Sequence, residues 1–449
     1  SSLDTIPWSW SVSNLPARNS TASWPALTDV PRLRADIAQA LASTRKTTLE
    51  LMAPLADEVL HVQHSPLMSP LVWDLGHIAN FEALWLLTRI GARQTPNPKL
   101  DAIYDPFVNP RSVRAELEVL RRDDVYRYLE EIREQVLEHL QQCTFPESDP
   151  LLRDGYVYWM LVQHETQHQE TILQSLDLHP SLAPYPPAAL ANEPQISSAV
   201  PNDLERVEVG EEETVIGTAD RRAAYDNERP QHCRPVGAFQ LDRYPVTCRR
   251  FAEFIADDGY DRPELWSAAG WDWRETEQAR APQGWHAADP EGWRVRRFGH
   301  DEALDLSTPV QHVCFHEAEA FARWCNARLP TEHEWERAAR ASDIAPSNVG
   351  RLRYRPAPIG AHVSEASQCV AEHMLGDVYE WTSSPFVGYP GFESFPYAEY
   401  SEVFFGDEYR VLRGASWATS PHCARATFRN WDYPIRRQIF AGLRLAYDS

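Results

Sequence analysis

The chain has 449 residues, with 43% hydrophobic and 24% charged side chains, the make-up of a globular protein with core enough for two or three domains. Its 65 acidic against 43 basic side chains leave a formal net charge of -22, which repels phosphate backbones and anionic lipid; neither nucleic acid nor a membrane is an expected partner. No apolar run approaches the roughly 20 residues that span a bilayer. The start lacks a signal-peptide pattern, and the cysteines (Cys143, Cys233, Cys248, Cys314, Cys325, Cys369, Cys423) include no CxxC pair, which points to a cytoplasmic protein with reduced thiols.

After an N-terminal extension over 1–30, residues 31–180 carry a helical pattern. "VPRLRADIAQALASTRKTTLELMAPL" repeats apolar residues at three- and four-residue spacing behind Asp29, a candidate N-cap. "SPLVWDLGHIANFEALWLLTRIG" does the same and stops at Gly91. "DDVYRYLEEIREQVLEHLQQC" and "LLRDGYVYWMLVQHETQHQETILQSL" complete four long helices, which predict an antiparallel bundle able to hold a metal on inward side chains. Residues 181–203 are proline-rich and aperiodic and read as a linker crossing the surface. Residues 204–449 alternate short strand-like pieces ("RVEVG", "FQLDRYPVT", "RVLRGASW") with two helices, "CRRFAEFIADDG" and "HEAEAFARWCNA", among Trp-, Pro- and Gly-bearing loops. The fold class is therefore multidomain, an α unit followed by an α+β unit.

The sharpest local signal is His164-Glu165-Thr166-Gln167-His168. Residues four apart share a helix face, so both imidazoles reach one ion; the same spacing also occurs on helices that merely face solvent. The letters match the zincin pattern, with Glu165 as general base, but no His-x-x-Gly-x-x-His extension follows and the stretch sits in a bundle. His77, on the second helix, is a third candidate ligand; alone it would read as a hydrogen-bonded core histidine, but a bundle can bring it to the same face as the other two. Three neutral imidazoles without thiolate or carboxylate suit Fe(II), Zn(II) or Cu(II). Glu170 is either an acceptor behind His168 or a solvated helix charge.

"SPLVWDLGHI", "HETQHQET", "YDNERP", "LPTEHEWERA", "GDVYEWTSS", "YPGF", "RVLRGASW" and "FRNWDYPIRRQIFAGLRLA" together resemble the ergothioneine-type sulfoxide synthases. The resemblance runs from about residue 30 to the C-terminus. It implies a DinB-like four-helix bundle joined to a C-type-lectin-like domain of the formylglycine-generating-enzyme type (sulfatase-modifying factor). Residue by residue, His77, His164 and His168 match the Fe(II) ligands. Gln167, Asn430 and Trp431 match positions that hold the trimethylated histidine hercynine. Arg111 and Arg114 match arginines that bind carboxylates of γ-glutamylcysteine, and Asp432 an acid facing the same co-substrate. Tyr397 matches the tyrosine that supplies a proton or hydrogen during oxygen activation, with Tyr400 its rival.

Elementary chemistry agrees with these roles. A quaternary ammonium favours aromatic walls, and carboxylates favour guanidinium forks. Asn430-Trp431-Asp432 followed by Pro434 reads as a rigid loop. Ala415 stands where many relatives carry glycine, and Cys423 lacks the neighbouring cysteine that copper-dependent formylglycine-generating enzymes use. The expected partners are hercynine, a thiol or selenium donor and O2, on a monomer or small homo-oligomer. The alternatives are a selenoneine synthase taking a selenosugar, a DinB-type thiol transferase, and a lectin-like binding module with a structural metal.

Overall fold

The computed structural model describes residues 29–91, 97–186, 201–288, 292–341, 348–361 and 371–448. The N-terminal extension up to residue 28, the linker from 187 to 200 and Cys369 lie outside the described residues.

α1 (Val30–Met52) begins where Asp29 accepts the Arg32 N–H at 2.9 Å, with a proline in the first turn. α2 (Asp57–His61) is short. α3 (Leu71–Glu82) is buried at every position and continues as a π-helical stretch, Ala83–Ile90, whose end is closed by Gly91 N–H on the Leu86 carbonyl. α4 (Pro98–Tyr104), α5 (Arg122–Gln142) and α6 (Tyr156–Leu178) follow. α1, α3, α5 and α6 are the bundle. Each also contributes one charge to a buried quartet: Arg45 reaches Glu82 at 2.7 Å and Glu165 at 2.8 Å, while Arg133 pairs with Glu82 and, at 2.8 Å, with Glu165. Two cations against two anions leave no net buried charge, which is what makes such a cluster tolerable in a core.

The second unit contains β1 (Arg206–Val209), β2 (Glu212–Ile216), β3 (His232–Val236), β4 (Phe239–Asp242), β5 (Trp285–Ala288), β6 (Gly292–Arg297), β7 (His300–Ala303), β8 (Tyr379–Phe386), β9 (Gly406–Arg413), β10 (Asn430–Asp432), β11 (Ala441–Gly442) and β12 (Ala446–Asp448). They form sheets ordered β1-β4-β12, β10-β9-β8-β11, β2-β3 and β5-β6-β7. Helices α7 (Cys248–Ala256), α8 (Ala268–Glu277), α9 (Phe315–Trp324) and α10 (Glu332–Ala341) pack beside them.

Two expectations are corrected here. The sequence reading admitted two helices in this half, whereas α8 and α10 are helical as well. α8 buries only Gly270, Trp273 and Arg274, too few for an apolar stripe. α10 did carry a legible signal, a capping box in which Thr331 accepts the Glu334 N–H at 3.2 Å and Glu334 accepts the Thr331 N–H at 2.7 Å. The expected Asn430–Asp432 loop is a strand: β10 pairs antiparallel with β9, Trp431 opposite Val411. The described start of the linker is anchored rather than loose. Tyr185 is buried, donates its hydroxyl to the Leu51 carbonyl at 3.1 Å and its N–H to the Phe298 carbonyl at 3.0 Å.

Candidate metal centre

α6 carries three functions on three stripes, because a 100° turn per residue sends neighbours to different faces. His164 and His168 form one stripe. Glu165 and Gln169 form a second, directed into the bundle, where Gln169 donates to Thr48 Oγ1 and the Thr44 carbonyl, both at 2.9 Å. Gln163, Thr166, Gln167, Glu170 and Asp177 form the third, which meets the C-terminal unit. There Arg425 donates to Gln163 at 2.8 Å, Thr166 contacts Cys423 Sγ at 3.4 Å, and Phe298 N–H donates to Asp177 at 2.8 Å.

The ligand atoms of His77, His164 and His168 lie within 4.8 Å of one another. His77 donates Nδ1–H to the Tyr104 carbonyl at 2.8 Å, and His168 donates Nδ1–H to Asp74 Oδ1 at 2.9 Å. These bonds leave both Nε2 lone pairs free for a ligand, the usual backing of a metal-bound imidazole. His77 Nε2 and His164 Nε2 are 3.1 Å apart. Burial, with the field of His168 behind it, holds His77 and His164 well below the ordinary histidine range, so both are neutral donors at pH 7. A divalent ion fits these residues. The rings are braced by stacking: Phe81 on His164 at 3.8 Å between centroids, Trp73 on His77 at 4.9 Å. Gly76 is required nearby, since a Cβ there would lie 2.1 Å from Tyr104 Cζ and displace the residue whose carbonyl orients His77.

Two acidic residues beside the histidines have other employment than the sequence suggested. Glu165 is 1% exposed within the Arg45–Arg133 quartet, which removes it as a zincin base. Glu170 is neither solvated nor behind His168; it accepts from Ser416 and Thr419 hydroxyls, each at 2.9 Å, across the domain boundary. Burial pushes its carboxyl up to about 7.

An aromatic wall from the second unit meets α6 at Gln167, the residue before His168. Tyr225 donates its hydroxyl to Gln167 Oε1 at 2.9 Å, Gln167 Nε2 donates to the Tyr400 oxygen at 3.3 Å, and the two tyrosine rings stack at 4.1 Å. Trp431 stacks on Phe386 at 4.1 Å and meets Tyr400 edge-on at 5.8 Å. Asn430 Oδ1 accepts the Trp431 N–H at 2.9 Å. Tyr397 lies on the other flank, 5.2 Å from Trp85 in the π-helical stretch and 6.3 Å from both Phe81 and Tyr400. Burial raises the phenols of Tyr397 and Tyr400, so both stay protonated at neutral pH.

Arg111 opens a 3₁₀ turn, Arg111–Glu116, and Arg114 lies in its last turn. Burial lifts the Asp432 carboxyl above the ordinary aspartate range, with the fields of Arg436 and Arg111 acting against it. Arg436 Nε lies 3.7 Å from Asp432 Oδ1. Asp74, Tyr225 and Arg436 were missed in the sequence. Asp74 had a usable signal, standing one turn before His77 where a histidine-orienting carboxylate is expected. Tyr225 opens the "YDNERP" motif, but its role was not legible there, because its partners Gln167 and Tyr400 are 58 and 175 residues away in sequence.

Comparison with known proteins agrees with this architecture. The DinB superfamily profile matches residues 40–172, and that of the sulfatase-modifying factor enzyme 1-like domain matches residues 200–449. The chain is 43% identical to a hercynine oxygenase of Mycolicibacterium smegmatis, covering 92% of this chain and 99% of that protein. It is likewise 43% identical to a hercynine oxygenase of Mycobacterium tuberculosis, covering 91% and 97%. The ergothioneine biosynthesis protein 1 of Neurospora crassa is similar at 24% identity, over 66% of this chain and 43% of that protein. With a three-histidine bundle docked on a lectin-like domain, and with this identity over nearly its whole length, the chain belongs to the hercynine oxygenase family.

Proposed function

We propose that this protein is an O2-dependent nonheme iron(II) enzyme of ergothioneine biosynthesis that joins C2 of the hercynine imidazole to the sulfur of γ-glutamylcysteine as a sulfoxide. In the overall reaction the C2–H and S–H hydrogens leave with one oxygen atom as water, and the other oxygen stays on sulfur. The observation that carries the reading is the convergence of three clustered histidines, two of them backed by hydrogen bonds, and an aromatic, amide-bearing wall from the other domain.

Iron held by His77, His164 and His168 supplies the activation of O2. The chain's own residues bind and orient. Gln167, Asn430 and Trp431 receive hercynine; the Trp431 and Tyr400 faces suit a trimethylammonium, which accepts no hydrogen bond. Arg111 and Asp432, of opposite charge and within each other's field, suit a zwitterionic dipeptide better than an uncharged selenosugar. Holding both partners converts a three-body encounter into a near-unimolecular one. Tyr397 supplies the proton or hydrogen atom as the bond forms, its hydroxyl kept protonated by burial. Arg114, three residues after Arg111, supplies the second guanidinium for the donor's carboxylates.

The test is anaerobic reconstitution with Fe(II), then hercynine and O2 with either γ-glutamylcysteine or a selenosugar, read by mass spectrometry. The sulfoxide adduct is expected with the dipeptide. A C–Se adduct alone assigns the selenium reaction, and thiol turnover without O2 removes the oxygenase reading.

A further inference from the structure

The "YDNERP" stretch, legible in sequence only as a motif, closes on the loop that carries both tyrosines. Tyr397 and Tyr400 lie between Phe395 and Ser401, in a span whose regular structure is one 3₁₀ turn, Ala398–Tyr400, with the Tyr400 N–H on the Tyr397 carbonyl at 3.4 Å. So little local bonding does not fix two aromatic rings. The fixing comes from Asp226, 1% exposed on the short turn Asp226–Glu228. Its Oδ2 accepts the Phe395 N–H at 3.0 Å, and its Oδ1 accepts the Ser401 hydroxyl. One carboxylate therefore takes a bond at each end of the span. Asn227 Nδ2 donates to the same Ser401 oxygen at 3.1 Å, which directs the hydroxyl hydrogen at Asp226. The residues on either side reach the other parts of the wall. Tyr225 donates to Gln167 and stacks on Tyr400, and the Asn227 carbonyl accepts Arg429 Nη1 at 2.8 Å, one residue before Asn430. An ionised carboxylate accepts at both oxygens, whereas an amide offers one, so an aspartate suits two converging donors.

We propose that Asp226 is a positioning residue for the reaction: by bracketing the span from Phe395 to Ser401 it holds the Tyr397 and Tyr400 rings at the site. It acts through the two tyrosines. The histidines come from α3 and α6 of the bundle, so metal binding does not depend on it. This inference rests on the roles given to Tyr397 and Tyr400 above.

The test uses the full chain as wild type, Asp226→Ala, Asp226→Asn, Ser401→Ala, Tyr397→Phe and Tyr400→Phe. Two readouts are taken. One is hydrogen exchange over residues 395–401 in the metal-free protein. The other, after Fe(II) loading, is the ratio of carbon–sulfur adduct to oxidised thiol, together with the KM for hercynine. Asp226→Ala is expected to speed exchange at the Phe395 amide about 10- to 100-fold, as loss of a hydrogen bond to a carboxylate does. It should also combine the two tyrosine phenotypes, a ratio shifted toward thiol oxidation and a raised KM, at wild-type Fe(II) content. Ser401→Ala opens one end only and moves both readouts less in the same direction, which keeps the test decisive should Asp226→Ala not fold. Asp226→Asn, retaining one acceptor, falls between Asp226→Ala and wild type. Wild-type ratio and KM in Asp226→Ala (or in Ser401→Ala, should Asp226→Ala not fold), beside altered tyrosine variants, overturn the proposal alone. A changed ratio with wild-type exchange over 395–401 also overturns it, since the effect then does not pass through the loop. Wild-type ratio and KM in both tyrosine variants remove the tyrosines from the reaction, and the proposal falls with them.

Discussion

Glu165 Oε1 accepts a hydrogen bond from Arg45 Nε at 2.8 Å, on a carboxylate whose chain neighbour is His164. One peptide bond thus separates a metal ligand from a residue committed to the bundle's interior, and the two respond differently to mutation.

Glu165→Gln is expected to cost about 3–5 kcal/mol of stability, because it strands a buried guanidinium while leaving the fold's other contacts in place. Denaturant unfolding measures it. Metal content per folded molecule should not change; a stable Glu165→Gln protein that has lost activity would instead revive the general-base reading. Arg45 and Arg133 hold the Glu165 carboxyl below its ordinary range, so its contribution is present above about pH 4.5 and fades as acid protonates it in the folded state.

Glu170 has the opposite sign. Its folded carboxyl titrates at about 7, above the unfolded value, so the folded state holds an extra proton between about pH 4.5 and 7. Stability therefore falls as pH rises through that window, by up to about 3 kcal/mol at full shift. Glu170→Gln keeps partners for Ser416 and Thr419 without the buried charge. In metal-free protein it should be more stable than wild type at pH 8 and lose that advantage by pH 5; an equal advantage at both pH values would show that charge is not the cause.

His164→Ala is expected to abolish iron retention while leaving the fold intact, since His164 lines the boundary rather than the core. Metal analysis after anaerobic loading and desalting measures it. A metal-replete, active variant sinks the site assignment.

Tyr397 and Tyr400 are separable by product analysis. Tyr397→Phe should shift the partition from carbon–sulfur bond formation toward simple thiol oxidation. Tyr400→Phe removes the oxygen to which Gln167 donates at 3.3 Å and should chiefly raise the KM for hercynine. Unchanged product ratios in Tyr397→Phe, with altered ratios in Tyr400→Phe, would move the proton-donor role to Tyr400.

By itself the sequence determined whatever depends on spacing within one element. A 3.6-residue period exposes α1, α3, α5 and α6, and the i, i+4 rule puts His164 and His168 on one face. Resemblance of scattered motifs extended this to His77, Gln167, Asn430, Trp431 and the tyrosines. Tertiary structure alone decided what each neighbour of those residues does. Glu165, Gln167 and Glu170 stand within six residues on one helix, yet Glu165 meets an arginine pair inside the bundle, while Gln167 meets a tyrosine pair and Glu170 a serine–threonine pair on the face toward the second unit. Those partners come from other helices or from the far domain, and no periodicity encodes a contact made across 120 or 246 positions. The same reason divides Arg111 from Arg114. Three residues separate them in sequence, and only the fold leaves Arg111 half-buried while setting the Arg114 guanidinium 3.4 Å over the Trp73 ring.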